Sequence, residues 1–111
     1  GLDGADLEGA TLAGANLASA EMASVILKDA NLAGSSLRYA DLHYSDLTRA
    51  DMTNCDLTGA DLTHCDLTNC NLTGADLTHC DLTGASIIGA DVSGANLTDV
   101  IGADFTGAVP E

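Results

Sequence analysis

The stretch DLTHCDLTNCNLTGADLTHC, residues 61–80, holds three cysteines and two histidines within twenty residues, the ingredients of a metal site. Its spacing points elsewhere. Leu62, Leu67, Leu72 and Leu77 recur every five residues, and two places before Leu67, Leu72, Leu77 and Leu82 stand Cys65, Cys70, Ala75 and Cys80. Calling the large apolar residue i, the cysteines occupy i−2, a place where Ala stands in most other quintets. The same phase holds for nineteen consecutive quintets from Gly4 to Thr98.

A period of five fits neither an α-helix, at about 3.6 residues per turn, nor a continuous strand with its period of 2. Within a quintet, i−2 and i point to one side of a locally extended chain while i−1 and i+1 point to the other. Extended pieces therefore alternate with bends, and each bend turns the apolar pair inward again. Residues that tolerate turns stand at i+2, among them Gly59, His64, Asn69, Gly74 and His79. The expected object is a solenoid thin enough for Leu and Ala to fill. Composition agrees: hydrophobic residues make up 46% of the chain and aromatic ones 3%, so bulky rings are not available for a globular interior.

ADL at 60–62, ANL at 30–32 and NLTGADLT at 71–78 resemble the A(D/N)LXX motif of the pentapeptide-repeat family, and the likeness runs along about the whole chain. The resemblance implies an all-β fold, a right-handed quadrilateral β-helix with four quintets and twenty residues per coil. On that grid about five coils form a rod roughly 25 Å long at strand spacing. One domain is expected over 1–111, regular over 1–99, with an irregular closing segment at 100–111 where the phase restarts at Ala103, Asp104 and Phe105. Phe105 is expected to cover the open end of the core. The opposite end, with no comparable cap, is expected to meet another copy or an upstream segment.

The grid sorts the remaining residues into inside and outside. Leu57, Leu62, Leu67, Leu72, Leu77 and Leu82 form the expected core, with Cys55, Cys65, Cys70 and Cys80 as small buried hydrophobes beside them. The cysteines fall on four different sides, so none stacks on another and disulfides are disfavoured. His64 and His79 stand on the outer bend, across the wall from Cys65 and Cys80. Neither a converging metal site nor a Cys–His nucleophile is expected, and no catalytic role, metal or cofactor is assigned. Charge pairs follow from stacking: Glu8 should meet Lys28, and Asp29 should meet Arg49.

Outside, Glu21, Asp41, Asp61 and Asp81 form a ladder of acids at i−1 on one side. Asp or Asn there has an ordinary use, bonding to turn backbone or facing water; the same ladder would attract a basic partner. Tyr39, Tyr44 and His64 are outward departures from the motif and complete the candidate interaction surface. With 17 acidic and 3 basic residues the formal charge is −14, which argues against direct nucleic-acid binding. No apolar run is long enough to span a membrane as a helix.

These readings lead to a non-catalytic structural or protein-interaction module that presents an acidic, rigid surface, with end-to-end self-association as a further expectation. The family resemblance implies an alternative, a DNA mimic that inhibits or protects a type II topoisomerase such as gyrase; those members resemble longer, Phe-rich chains with a C-terminal dimerisation element. A third reading is a repeat segment of a larger multidomain protein, suggested by the start at Gly1. Free thiols fit a reducing cytoplasm, while the resemblance also extends to members of the thylakoid lumen; the periplasm is a further compartment considered.

Overall fold

A single quintet, Ala60 to His64, shows why the chain folds as it does. Asp61 N–H donates down to Ala40 C=O (2.9 Å), and Leu62 N–H and His64 N–H donate up to Asp81 C=O and Thr83 C=O (2.9 Å each). Cys65 N–H closes a turn onto Leu62 C=O (3.2 Å), and Thr63 N–H is taken by the Asp61 side-chain Oδ1 (2.9 Å). All five backbone donors from Asp61 to Cys65 are thus satisfied, as a tightly wound chain requires. The turn from Leu62 to Cys65 has positive φ only at its second central residue, His64 (φ 58), which is the type II pattern.

Repeated four times per coil, this unit builds a right-handed quadrilateral β-helix. The computed structural model describes residues 1–110; Glu111, the end of the expected closing segment, lies outside the described residues. Each i−1 residue pairs in parallel with the residue twenty positions on, as in Asp41 with Asp61 and Asp61 with Asp81. The molecule measures 33 × 22 × 22 Å, a square rod. Its four faces are named here by their i−1 residues. The first carries Glu21, Asp41, Asp61, Asp81 and Ile101; the second Asp6, Ile26, Asp46, Asp66 and Ser86. The third carries Thr11, Asn31, Asp51, Asn71 and Asp91, and the fourth Asn16, Ser36, Asp56, Asp76 and Asn96.

Leu57, Leu62, Leu67, Leu72, Leu77 and Leu82 lie in the core, none more than 2% exposed, with Cys55, Cys65, Cys70 and Cys80 packed beside them. The four thiols are free. Cys55 Sγ donates to Leu32 C=O (2.8 Å) and Cys65 Sγ to Leu42 C=O (2.9 Å). Ser45 Oγ makes the same bond to Met22 C=O (3.1 Å), so a small donor at i−2 is served by the coil beneath. In the first coil Leu7, Leu12 and Leu17 are only partly buried and Leu2 is exposed.

Twenty-residue register runs through Ile101, which pairs with Asp81. Beyond it the chain slips: Val109, not residue 111, pairs with Asp91. Phe105, expected to cover the open end of the core, stands at the i place of the restarted quintet, and Ala108 N–H closes the usual turn onto its carbonyl (3.0 Å). Phe105 is 38% exposed, Ala108 is buried at 1%, and Val100 and Ala103 pack partly buried against the core. The slip moves the Ala103–Phe105 rung off the second face, so Ile87 N–H has no backbone acceptor among the described residues. A cleft of about 490 Å³ opens there, lined by Ala85, Ser86, Ile87, Ile88, Asp104, Thr106 and Gly107.

Of the two ion pairs expected from stacking, Arg49 meets Asp29 (Nε to Oδ1, 2.8 Å). Lys28 forms no ion pair among the described residues; Arg38 instead reaches Asp56 (3.0 Å) in the next coil.

Candidate functional site on the first face

The role of Asp and Asn at i−1 is structural before it is anything else. N–H of residue i+1 faces outward and finds no backbone acceptor in the ladder, and the side chain at i−1 supplies one. Asp41 Oδ1 takes it from His43, Asp61 from Thr63 and Asp81 from Thr83 (3.2, 2.9 and 3.0 Å). Asn31, Asn71 and Asn96 do the same. Thr at i+1 adds its hydroxyl, as Thr83 does to Asp81 (2.6 Å). Glu21 is too long for this bond, and Ala23 N–H is capped instead by Asp3 of the preceding coil (2.9 Å). The motif letters D/N and the frequent Thr after Leu are thus explained by one acceptor atom.

That use consumes Oδ1 and leaves Oδ2 of Asp41, Asp61 and Asp81 with no hydrogen-bond partner among the described residues. Glu21, Asp41, Asp61 and Asp81 therefore present a column of outward carboxylate oxygens on adjacent rungs. None of the three basic residues, Lys28, Arg38 and Arg49, stands in this column.

Aromatic side chains stand at both edges. Tyr39 occupies the corner where the chain enters the first face and Tyr44 the corner where it leaves, each 62% exposed. Both sit in the left-handed region (φ 58 and 61), a placement that costs a non-glycine residue about 1–2 kcal/mol. The Arg38 guanidinium lies 5.7 Å from the Tyr39 ring centre. The Tyr44 ring stacks on His64 at 4.8 Å and 14°, the neighbour that the twenty-residue grid assigns it.

His43 is the member of this surface that sequence reasoning left aside. It stands at i+1, on the same outward side as Asp41, and its Nδ1 lies 2.6 Å from Asp41 Oδ1. Its ring meets Tyr44 edge-on at 5.7 Å. The hydrogen bond from His43 holds the Asp41 carboxyl below its ordinary range, and the same bond raises His43 above the usual histidine value. The Thr83 hydroxyl and N–H similarly lower Asp81. The signal was present in the spacing Asp41-x-His43 with Asp61 twenty residues above Asp41, which the grid places together.

The cysteines and the other histidines do not converge. Cys65 and Cys80 are buried while His64 and His79 are exposed. Burial pushes the Cys65 and Cys80 thiols up to about 12 and raises Cys70 further, the reverse of what a nucleophile or thiolate ligand requires. His79 lies 3.7 Å from Asp99 and gathers no third donor among the described residues. Asp41, His43 and Asp61 are the residues that bring three possible ligand atoms within 4.8 Å of one another.

A four-sided parallel coil with a capping Asx at i−1 defines the pentapeptide β-helix class, and comparison with known proteins agrees. The family described as Pentapeptide repeats matches residues 2–38, 26–63 and 60–99, with 8 copies. The chain belongs to that family. It is similar to a pentapeptide repeat protein from the Arabidopsis thaliana thylakoid lumen, at 35% identity and TM-score 0.85, over 88% of this chain and 68% of that one. A pentapeptide repeat protein from the cyanobacterium Cyanothece 51142 matches at 25% identity and TM-score 0.88, over 95% and 83% of the two chains. The plasmid-mediated fluoroquinolone resistance protein QnrB1 shares the fold at 16% identity and TM-score 0.53, over 83% of this chain and 58% of its own. No curated protein matches in sequence. No helix of the described residues is long and apolar enough to cross a membrane.

Proposed function

We propose that the chain, as a single repeat domain over 1–111, is a non-catalytic protein-interaction module that docks a basic partner on its first face. The observation that carries this is the column Glu21, Asp41, Asp61 and Asp81, free of Lys and Arg and bordered by exposed Tyr39 and Tyr44. Carboxylates spaced one rung apart attract and orient a cationic surface, and exposed tyrosines supply contact area at small entropic cost. All four thiols are buried inside the wall, so the first face presents no cysteine to a partner or substrate. The free thiols suit a reducing cytoplasm, the compartment we propose; recovery of the protein from a thylakoid-lumen fraction would overturn that placement.

The test is affinity capture and cross-linking with wild type and two variants. Asp41→Asn with Asp61→Asn and Asp81→Asn removes three charges and keeps the three turn bonds; Tyr39→Ala with Tyr44→Ala removes the aromatic borders. A partner retained by wild type and released by both variants supports the reading. A partner held equally by all three overturns it.

A second reading, a DNA-like inhibitor or protector of gyrase, is favoured by the charge of −14. A supercoiling assay separates the two: inhibition at amounts equal to the enzyme would promote it, and no effect removes it. The partly buried leucines of the first coil motivate end-to-end self-association, which sedimentation over a concentration series would reveal as growing oligomers.

A further inference from the structure

We propose that Asp41, His43 and Asp61 form a surface site for a late first-row divalent cation, with zinc as its probe. The site stands whether or not a protein partner docks on the same face. Asp41 and His43 are two apart in an extended segment that enters a turn, so both side chains leave the wall on the same side. Asp61 is paired in parallel with Asp41 on the next rung. Three candidate donor atoms, one imidazole nitrogen and two carboxylate oxygens, consequently lie within 4.8 Å of one another. Donors around a zinc ion sit roughly 3–3.5 Å apart when bond lengths are near 2.0–2.2 Å, so rotation of the side chains closes the set without moving backbone.

His43 Nδ1 and Asp41 Oδ1 meet at 2.6 Å, a hydrogen-bond distance that a small side-chain rotation opens to ligand spacing. On binding, the ion replaces the proton shared there, which leaves to solvent, and the imidazole becomes a neutral ligand. Asp61 keeps Oδ1 on Thr63 and turns its free Oδ2 to the ion. One side of the ion stays open to water, since only three protein ligands converge. An imidazole with two carboxylates selects zinc, nickel or cobalt over magnesium and calcium, which prefer oxygen alone.

The set is distinct among the described residues. His79 has only Asp99 beside it, His64 lies against Tyr44, and the thiols are inside the wall. Because the ligands come from adjacent coils, a bound ion would staple the third coil to the fourth, and the free energy of binding would appear as resistance to unfolding.

Calorimetric titration with zinc chloride in a non-chelating buffer tests the site. The expected result is one ion per chain, an upward shift of the melting temperature with zinc, and movement of the His43 ring signals in NMR while those of His79 stay in place. His43→Gln and Asp61→Asn should each weaken binding by about 10-fold or more; Asp61→Asn keeps the acceptor for Thr63 N–H, and His43→Gln changes a half-buried surface side chain. His79→Gln should bind as wild type. Absence of binding up to about 1 mM zinc overturns the proposal, as does affinity unchanged by His43→Gln. Several ions per chain displaced equally by magnesium would also overturn it, by revealing only a diffuse acidic surface.

Discussion

At the scale of single residues, the place of a side chain in the quintet decides what it can do. Asp76 uses Oδ1 to hold the N–H and hydroxyl of Thr78 (3.0 and 2.5 Å). Asp76→Ala should therefore lose about 1 kcal/mol of stability, whereas Asp76→Asn should hold the midpoint of urea unfolding near wild type, because Asn96 already makes both bonds to Thr98. Equal losses in the two variants would show that charge, not the acceptor atom, matters there. Cys65 fills the i−2 place inside the wall and donates to Leu42 C=O. Cys65→Asp puts a carboxylate where no cation can reach it and should cost roughly 3 kcal/mol or more. Cys65→Ser keeps a donor of similar size and should cost about 1 kcal/mol or less. Measured by denaturant melts, similar losses would contradict the placement of Cys65 in the core. Alternation reads this inside–outside division directly from sequence. The acceptor role of Asp was legible only as a general habit of turns, because the N–H it serves is identified by which donors the ladder leaves over.

At the scale of the element, each corner is a type II turn whose second central residue lies in the left-handed region. Glycine is the natural occupant. At Gly59 (φ 68) a Cβ would meet the Tyr39 ring at 2.5 Å, so Gly59→Ala combines backbone strain with a collision and should destabilise by about 1–2 kcal/mol. His79 (φ 59) is a histidine in the same conformation. His79→Gly relieves the strain while adding unfolded-state entropy, and a gain of a few tenths to about 1 kcal/mol is expected. A thermal melt of both variants checks the pair; a loss at His79→Gly would mean that the ring contributes more by contact than its conformation costs. The positions of these corners were visible as a run of Gly, Asn and His at i+2. That Tyr39 and Tyr44 would border one acidic face was visible only after four sides were assumed, since the number of quintets per coil is set by how corners close around the core.

At the scale of the whole molecule, two electrostatic effects oppose each other. Fourteen net negative charges repel, while the turn and ion-pair bonds hold several carboxylates in their charged form. Asp41, Asp66, Asp81, Asp91 and Asp104 all have folded-state pKa values below the ordinary 3.8, lowered chiefly by His43, Thr68, Thr83, Ser93 and Thr106. For such groups the unfolded chain binds protons first. Their stabilisation is present above pH 3.8 and is withdrawn as pH falls through the depressed values. In about 1 M salt, where repulsion is screened to within about 3 Å, the melting temperature should drop between about pH 4 and pH 2. A flat profile there would remove the turn bonds as a source of stability. In sequence alone, the period of five settled the inward pair, the outward acids and the buried cysteines, because side-chain alternation in an extended quintet is local. Only the tertiary structure decided the slip after Ile101 that pairs Val109 with Asp91, the reach of Arg38 to Asp56 while Lys28 forms no ion pair among the described residues, and the approach of the Asp41, His43 and Asp61 ligand atoms to within 4.8 Å. Those outcomes depend on which rung lies over which, and that register is fixed by pairing between coils, which the motif leaves open at its end.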